Sequence, residues 1–170
     1  MTGEAVAAGE RHAAQLRAAL GQDAPLWLPT VTGVVLDRSG THTLLVRRPE
    51  TGLWAPVAVL LGPAIEPADA IEDAVLSETG ERVVAEHLVW VQVTRPLAYS
   101  SGARAQYLNL VFRLRGDRGQ DSSAAVWFPL DALPGDMGTD HRERISAVTA
   151  NRPAARFGRG GPAGAPGEGR

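Results

Sequence analysis

The chain has 170 residues, of which 44% are hydrophobic and 21% are charged, so it is long enough for one domain with a buried core. It contains no cysteine, which excludes disulfides and thiolate metal sites, and its net charge of −2 argues against a general nucleic-acid binder. The longest apolar stretch, residues 53–65, is shorter than the roughly 20 residues that cross a bilayer. Because the N-terminus also lacks a secretory signal pattern, we expect a cytoplasmic protein with no membrane partner and no specific nucleic-acid partner.

The first half of the chain shows two helix patterns and two strand patterns. A helix is predicted at residues 10–20, where Ala13, Leu16 and Leu20 share one side. Strands are predicted at 31–36 and 41–47, and the turn residues 37–40 between them are typical of a hairpin. A second helix is predicted at 67–79 with Gly80 as its end.

The second half alternates strand and helix patterns. Long strands are predicted at 82–94 and 106–115, a short strand at 125–128 and a helix at 141–150. Strand pairs around a central helix, followed by a last helix, predict an α/β or α+β fold of the sandwich type. Residues 151–170 are rich in Gly, Pro and Arg and predict a disordered tail. The expected organisation is a flexible segment at 1–9, one domain at 10–150 and this tail.

Four segments go beyond general patterning, namely residues 44–57, 77–80, 106–113 and 126–134. They resemble the Nudix hydrolase superfamily, in particular an actinobacterial-type branch with an extra N-terminal helix. The resemblance implies an α/β/α sandwich with a mixed sheet. It also implies hydrolysis of nucleoside diphosphates linked to another group, with Mg²⁺ or Mn²⁺ bound by glutamates of the family's motif, the Nudix box.

The Nudix box is degenerate in this sequence. The family pattern is Gly, five residues, Glu, seven residues, then Arg-Glu-apolar-any-Glu-Glu-any-Gly. Aligned without gaps, the Arg-Glu pair reads Asp73-Ala74 and the Glu-Glu pair reads Ser77-Glu78, so Glu78 is the one box glutamate that remains. Since hard divalent ions need several oxygen ligands, we expect the metal site to be lost or greatly weakened. The resemblance also implies that residues 57–65 form a loop at this site. Because these residues are apolar here, we expect the loop to close the metal cleft or to contact a second copy of the chain.

The candidate site residues follow from this alignment and from the charges around it. Glu78 is the residual catalytic candidate, and the metal candidates are Glu78, Asp73 and Glu81. The candidates for ligand binding are Arg47, Arg48, Trp54, Arg104 and Asn109. Arginines are suited to phosphates, and tryptophan is suited to stacking on a base.

The sequence leaves three functions open. The first is a non-catalytic or weakly active module that binds a nucleotide-like small molecule and requires no cofactor. The second is an active pyrophosphohydrolase in which rearranged ligands hold Mg²⁺ or Mn²⁺. The third is a structural or oligomerising domain, for which the homodimer is the expected assembly.

Overall fold

The computed structural model describes residues 4–21, 24–49, 51–98, 104–119 and 125–157. Within these residues the chain forms three helices and nine strands: α1 (Glu4–Leu20), β1 (Leu26–Asp37), β2 (His42–Arg47), β3 (Trp54–Ala55), β4 (Val57–Leu60), α2 (Pro67–Thr79), β5 (Val83–Val93), β6 (Leu97–Ala98), β7 (Arg104–Gly116), β8 (Ala125–Pro129), α3 (Thr139–Thr149) and β9 (Arg156–Phe157). None of the helices among the described residues is both long enough and apolar enough to cross a membrane.

The strands form one mixed sheet with β1 at its centre. The main order is β3-β2-β1-β7-β5-β9, and β4, β6 and β8 pair with β1, β7 and β2. One edge of β1 runs parallel to β7 over its full length. Its other edge is divided between β4, which pairs with residues 30–33, and β2, which pairs with Val35 and Leu36. The hairpin predicted between β1 and β2 is confirmed.

Two apolar clusters lie on opposite faces of the sheet, because neighbouring side chains of a strand point to opposite sides. Val31 and Val35 of β1 pack with the buried residues of α2, among them Ile71. Val34 of β1 packs with the buried residues of α3, among them Ile145. The result is the predicted α/β/α sandwich, in which α2 covers one face and α3 covers the other.

Helix α2 has the predicted bounds. Pro67 occupies the first turn, where its missing N–H is not needed, and Glu66 precedes it as N-cap without a side-chain hydrogen bond. At the other end Gly80 has φ +78°, and its amide donates to the Leu76 carbonyl at 2.9 Å. This left-handed conformation suits glycine, and it stops the helix directly after Glu78 and Thr79.

The prediction of a loop at residues 57–65 is wrong for its first part, because residues 57–60 form β4. Val57 and Val59 point into the core on the α2 side. The end of this segment contacts α1 closely, since a Cβ on Gly62 would lie only 2.9 Å from the Ala8 Cβ. Gly62 is therefore buried against α1, whereas Ala58, Pro63 and Ala64 are exposed.

The two ends of the described chain also differ from the expected boundaries. Helix α1 begins at Glu4, so residues 4–9 of the segment expected to be flexible are helical. Residues 156–157 of the expected tail form β9, which pairs with Trp90 and Val91 of β5. Residues 158–170 of the tail lie outside the described residues.

Candidate functional site

Glu78 lies on the last turn of α2 and pairs with Arg48, which directly follows β2. The Arg48 Nη1 lies 3.3 Å from the Glu78 Oε2, and the Arg48 Nη2 donates to the Pro56 carbonyl at 3.1 Å. Both side chains are about one-third exposed, so the pair contributes less than about 1 kcal/mol to stability. Its importance is positional, because the residual catalytic candidate of the sequence analysis has a guanidinium as its counter-ion.

The other metal candidates do not join Glu78. Asp73 is on the same helix but about 140° around its axis, on a different side. Glu81 lies against the loop after β7, where a side chain on Gly119 would overlap its Oε1. The described residues contain no group of three His, Asp or Glu side chains that could hold a metal ion. This donor set does not fit Mg²⁺ or Mn²⁺, which take several oxygen ligands.

Arg47 and Trp54, two of the predicted ligand-binding residues, lie next to each other. The Arg47 guanidinium lies 5.7 Å from the centroid of the Trp54 ring, and its Nε donates to the Gly52 carbonyl at 3.0 Å. The Trp54 ring also makes an edge-to-face contact with Phe128, with ring centroids 5.0 Å apart. Trp54 is half-buried against the α3-side core, so its ring packs within the protein and also carries the cation.

Asn109 is buried in the middle of β7 and is only 1% exposed. Its Oδ1 accepts hydrogen bonds from the Thr30 hydroxyl at 3.1 Å and the Thr32 hydroxyl at 2.9 Å. Its Nδ2 has no partner within the described part of the chain. Exchanging the amide oxygen and nitrogen would serve the two hydroxyls equally well, so one end of the amide stays without a partner in either assignment.

Three residues that the sequence did not single out extend this polar region. In the β5–β7 ladder Gln92 stands directly opposite Asn109, so the two side chains share one face of the sheet. The Gln92 Oε1 accepts a hydrogen bond from the Arg144 Nε at 3.0 Å. The Arg144 Nη1 in turn donates to the His141 Nδ1 at 3.2 Å. We refer to Asn109, Gln92, Arg144 and His141 as the buried polar cluster.

Electrostatics connects this cluster to Arg48. The pKa of His141 is lowered to about 4, first by burial and then by the positive charges of Arg144 and Arg48. The imidazole is therefore neutral at pH 7, which fits its Nδ1 as the acceptor for Arg144. Burial also lowers the pKa of Arg144, while Asp140 and Glu143 act on it in the opposite direction.

Comparisons with known proteins identify the fold. No protein-family model and no curated protein sequence matches the chain. Among solved structures, a UDP-X diphosphatase superposes with a TM-score of 0.56 at 23% identity, over 82% of this chain and 68% of that one. A Nudix hydrolase from Nitrosomonas europaea gives 0.54 at 23% identity, over 72% and 88% of the two chains. An ADP-ribose pyrophosphatase from Streptococcus suis gives 0.50 at 18% identity, over 76% and 96%.

The chain has the Nudix fold.

On this Nudix fold the ligand-binding candidates fall into separate places. Arg48 lies beside Glu78, Arg47 lies beside Trp54, and Asn109 belongs to the buried polar cluster. Arg104 begins β7, about 17 Å along the strand from Asn109, and its carbonyl accepts a hydrogen bond from Arg17 of α1 at 2.9 Å. The Nudix fold therefore does not bring Arg104 to the buried polar cluster.

Proposed function

We propose that this chain is a Nudix-fold protein with a degenerate box, which binds a nucleotide-like small molecule and has no efficient metal-dependent hydrolase activity. The observation that carries the proposal is the pairing of Glu78 with Arg48 at 3.3 Å. A carboxylate at this box position is engaged by a guanidinium, and the described residues provide no group of three acidic or histidine side chains for a metal ion. We also propose the actinobacterial-type branch, whose extra N-terminal helix corresponds to α1.

The reasoning concerns the coordination that a divalent ion requires. Mg²⁺ dehydrates reluctantly and is usually held by at least one or two carboxylates together with substrate phosphates. To bind near Glu78, the ion would have to separate this carboxylate from Arg48, and it would gain one protein ligand in return. Arg48 already supplies positive charge at this place without any ion.

The ligand class is supported by the chemistry of the same region and by the structural neighbours. Two of the neighbours are named for UDP-X and for ADP-ribose as the molecules on which they act. Their fold gives no substrate for this chain, because one fold supports many functions. On this chain, however, Arg48 and Arg144 place two guanidinium groups where their charges act on one histidine. An anionic ligand is favoured by such an arrangement.

The test compares metal binding, turnover and ligand binding in one set of variants. Mg²⁺ and Mn²⁺ are titrated by calorimetry, and formation of AMP from ADP-ribose and of UMP from UDP-sugars is measured by chromatography. The variant is Glu78→Gln, and Glu10→Gln on the exposed side of α1 is the control for the same change of charge. We expect no metal-dependent turnover in any of the three proteins.

We also expect a nucleotide to stabilise the wild-type protein in the presence of EDTA. A ligand at 100 times its Kd adds about 2.7 kcal/mol to the free energy of unfolding, which raises the Tm by about 5–10 °C for a domain of this size. Turnover that Glu78→Gln abolishes and Glu10→Gln retains would instead establish the active hydrolase. Failure of every nucleotide to shift the Tm would favour the structural or oligomerising domain.

A further inference from the structure

Arg144 carries a buried positive charge that no carboxylate of the described residues contacts. Its side chain belongs to a residue that is only 8% exposed, and no carboxylate of the described residues lies within 4.0 Å of it. Asp140 and Glu143, on the same helix, influence it only from a greater distance. A guanidinium stays charged at every pH at which the protein is folded, and a buried charge without a counter-ion is unfavourable. The burial of this uncontacted charge indicates that Arg144 has a function other than stabilising the fold.

The hydrogen bonds of Arg144 leave part of its guanidinium unused. The Nε donates to the Gln92 amide oxygen at 3.0 Å and the Nη1 donates to the His141 ring at 3.2 Å. Both acceptors are neutral groups. The Nη2 has no acceptor within the described residues, so its two N–H bonds are available to an oxygen atom from outside the chain.

Of the described charged side chains in this region, Arg144 is the one that no oppositely charged group contacts. Arg48 is already paired with Glu78, and the His141 ring is uncharged in its role as acceptor for Arg144. Asn109, across the ladder from Gln92, adds a second buried polar group that has an end without a partner. The same face of the sheet therefore faces a cation that no carboxylate of the described residues contacts and holds an amide with one end unsatisfied.

We propose that Arg144 binds a phosphate or diphosphate group of the ligand directly, without a divalent metal ion. This inference rests on the proposed function, since it names the group that the binding site receives. Charge-assisted hydrogen bonds from a planar guanidinium match phosphate oxygens in geometry and in charge. In this chain the arginine takes the place that a metal ion has in a metal-dependent phosphate site.

The decisive variant is Gln92→Glu. This substitution replaces the side-chain amide by a carboxylate at the place where the Arg144 Nε now has a neutral acceptor. Arg144 therefore gains an internal counter-ion that competes with phosphate. The matched control is Gln15→Glu, the same change on the exposed side of α1. Binding of inorganic pyrophosphate, inorganic phosphate and succinate is measured by calorimetry in EDTA at low ionic strength, together with the Tm of each unliganded protein.

We expect the wild type and Gln15→Glu to bind pyrophosphate with a millimolar or lower Kd, and Gln92→Glu to bind at least tenfold more weakly. The Tm of unliganded Gln92→Glu is expected to equal or exceed that of the wild type, because the buried charge is then paired. If Gln92→Glu does not fold, Arg144→Met is used instead, with the same expected loss of affinity.

Three results would overturn the inference. The first is equal pyrophosphate affinity of the wild type and the variant, which would leave the proposed nucleotide binding intact. The second is binding that requires Mg²⁺, which would contradict the proposed function as well. The third is wild-type protein that binds none of the three probes, or that binds succinate more tightly than pyrophosphate. In that case the Tm shift with nucleotides decides the proposed function separately.

Discussion

Acidification is expected to destabilise the protein through His141. In the unfolded chain this histidine titrates near 6.5, but in the folded protein its pKa is about 4. Between these values the unfolded state binds a proton that the folded state does not bind, so the free energy of unfolding falls as the pH falls. The separation of the two pKa values corresponds to about 3 kcal/mol, of which about 2 kcal/mol is lost between pH 7 and pH 5.

The assay is urea unfolding of the wild type and His141→Asn at pH 7, 6 and 5. The asparagine keeps an acceptor for the Arg144 Nη1 but takes up no proton, so the variant should lack this part of the pH dependence. The control is His87→Asn, which removes an exposed histidine of β5. We expect the control to lose as much free energy of unfolding on acidification as the wild type does.

One result would refute this reasoning. If the wild type and His141→Asn lose the same free energy of unfolding between pH 7 and pH 5, within about 0.5 kcal/mol, the folded protein does not hold His141 neutral. The arginine charges and the burial at α3 would then have no measurable effect on this ring.

Two further predictions concern glycines next to α2: Gly33, which packs against Ile71, and Gly80, which ends the helix. Gly33→Ala should lower the free energy of unfolding by about 1–3 kcal/mol, because its Cβ would overlap the Leu114 Cδ1 and lie 2.7 Å from the Ile71 Cγ1. Gly80→Ala should cost about 1–2 kcal/mol, because φ +78° is unfavourable for a residue with a Cβ. Urea unfolding measures both, with Gly135→Ala as a control that has no atom within 4 Å of the new Cβ. A decrease no larger than that of the control would contradict either prediction.

The sequence predicts those elements whose ends are determined by local chemistry. Helix α2 is one example, since Pro67 and Gly80 determine its two ends within the chain segment itself. The β1–β2 hairpin is another, because Gly40 takes φ +70° in the turn that joins the strands. In both cases the residues that predict the element lie within a few positions of the element itself.

Elements that depend on a distant partner could not be predicted in this way. Residues 57–60 form a strand because they pair with residues 30–33 of β1. In the sequence the same residues belong to an uninterrupted apolar run that contains no alternation. Strand β9 has only two residues, so it has no sequence pattern apart from its partner β5.

The candidate site shows the same limit. Glu78 and Arg48 were both candidates, but their pairing joins residues that are 30 positions apart and could not be read from either segment. Arg144 and Gln92 were missed entirely. An arginine in a short helix normally extends into solvent, and its burial here depends on packing against β5, 52 positions away.

The central position of β1 has a consequence for how the chain is made. Its ladder with β7 joins Thr30 to Asn109, which is 79 positions later, and it ends at Gly116. During synthesis on the ribosome, one edge of β1 therefore stays unpaired until β7 has emerged. Unpaired strand edges and exposed apolar surface favour aggregation of partly made chains. The nascent chain is thus most vulnerable before Gly116, the last residue of β7, has emerged.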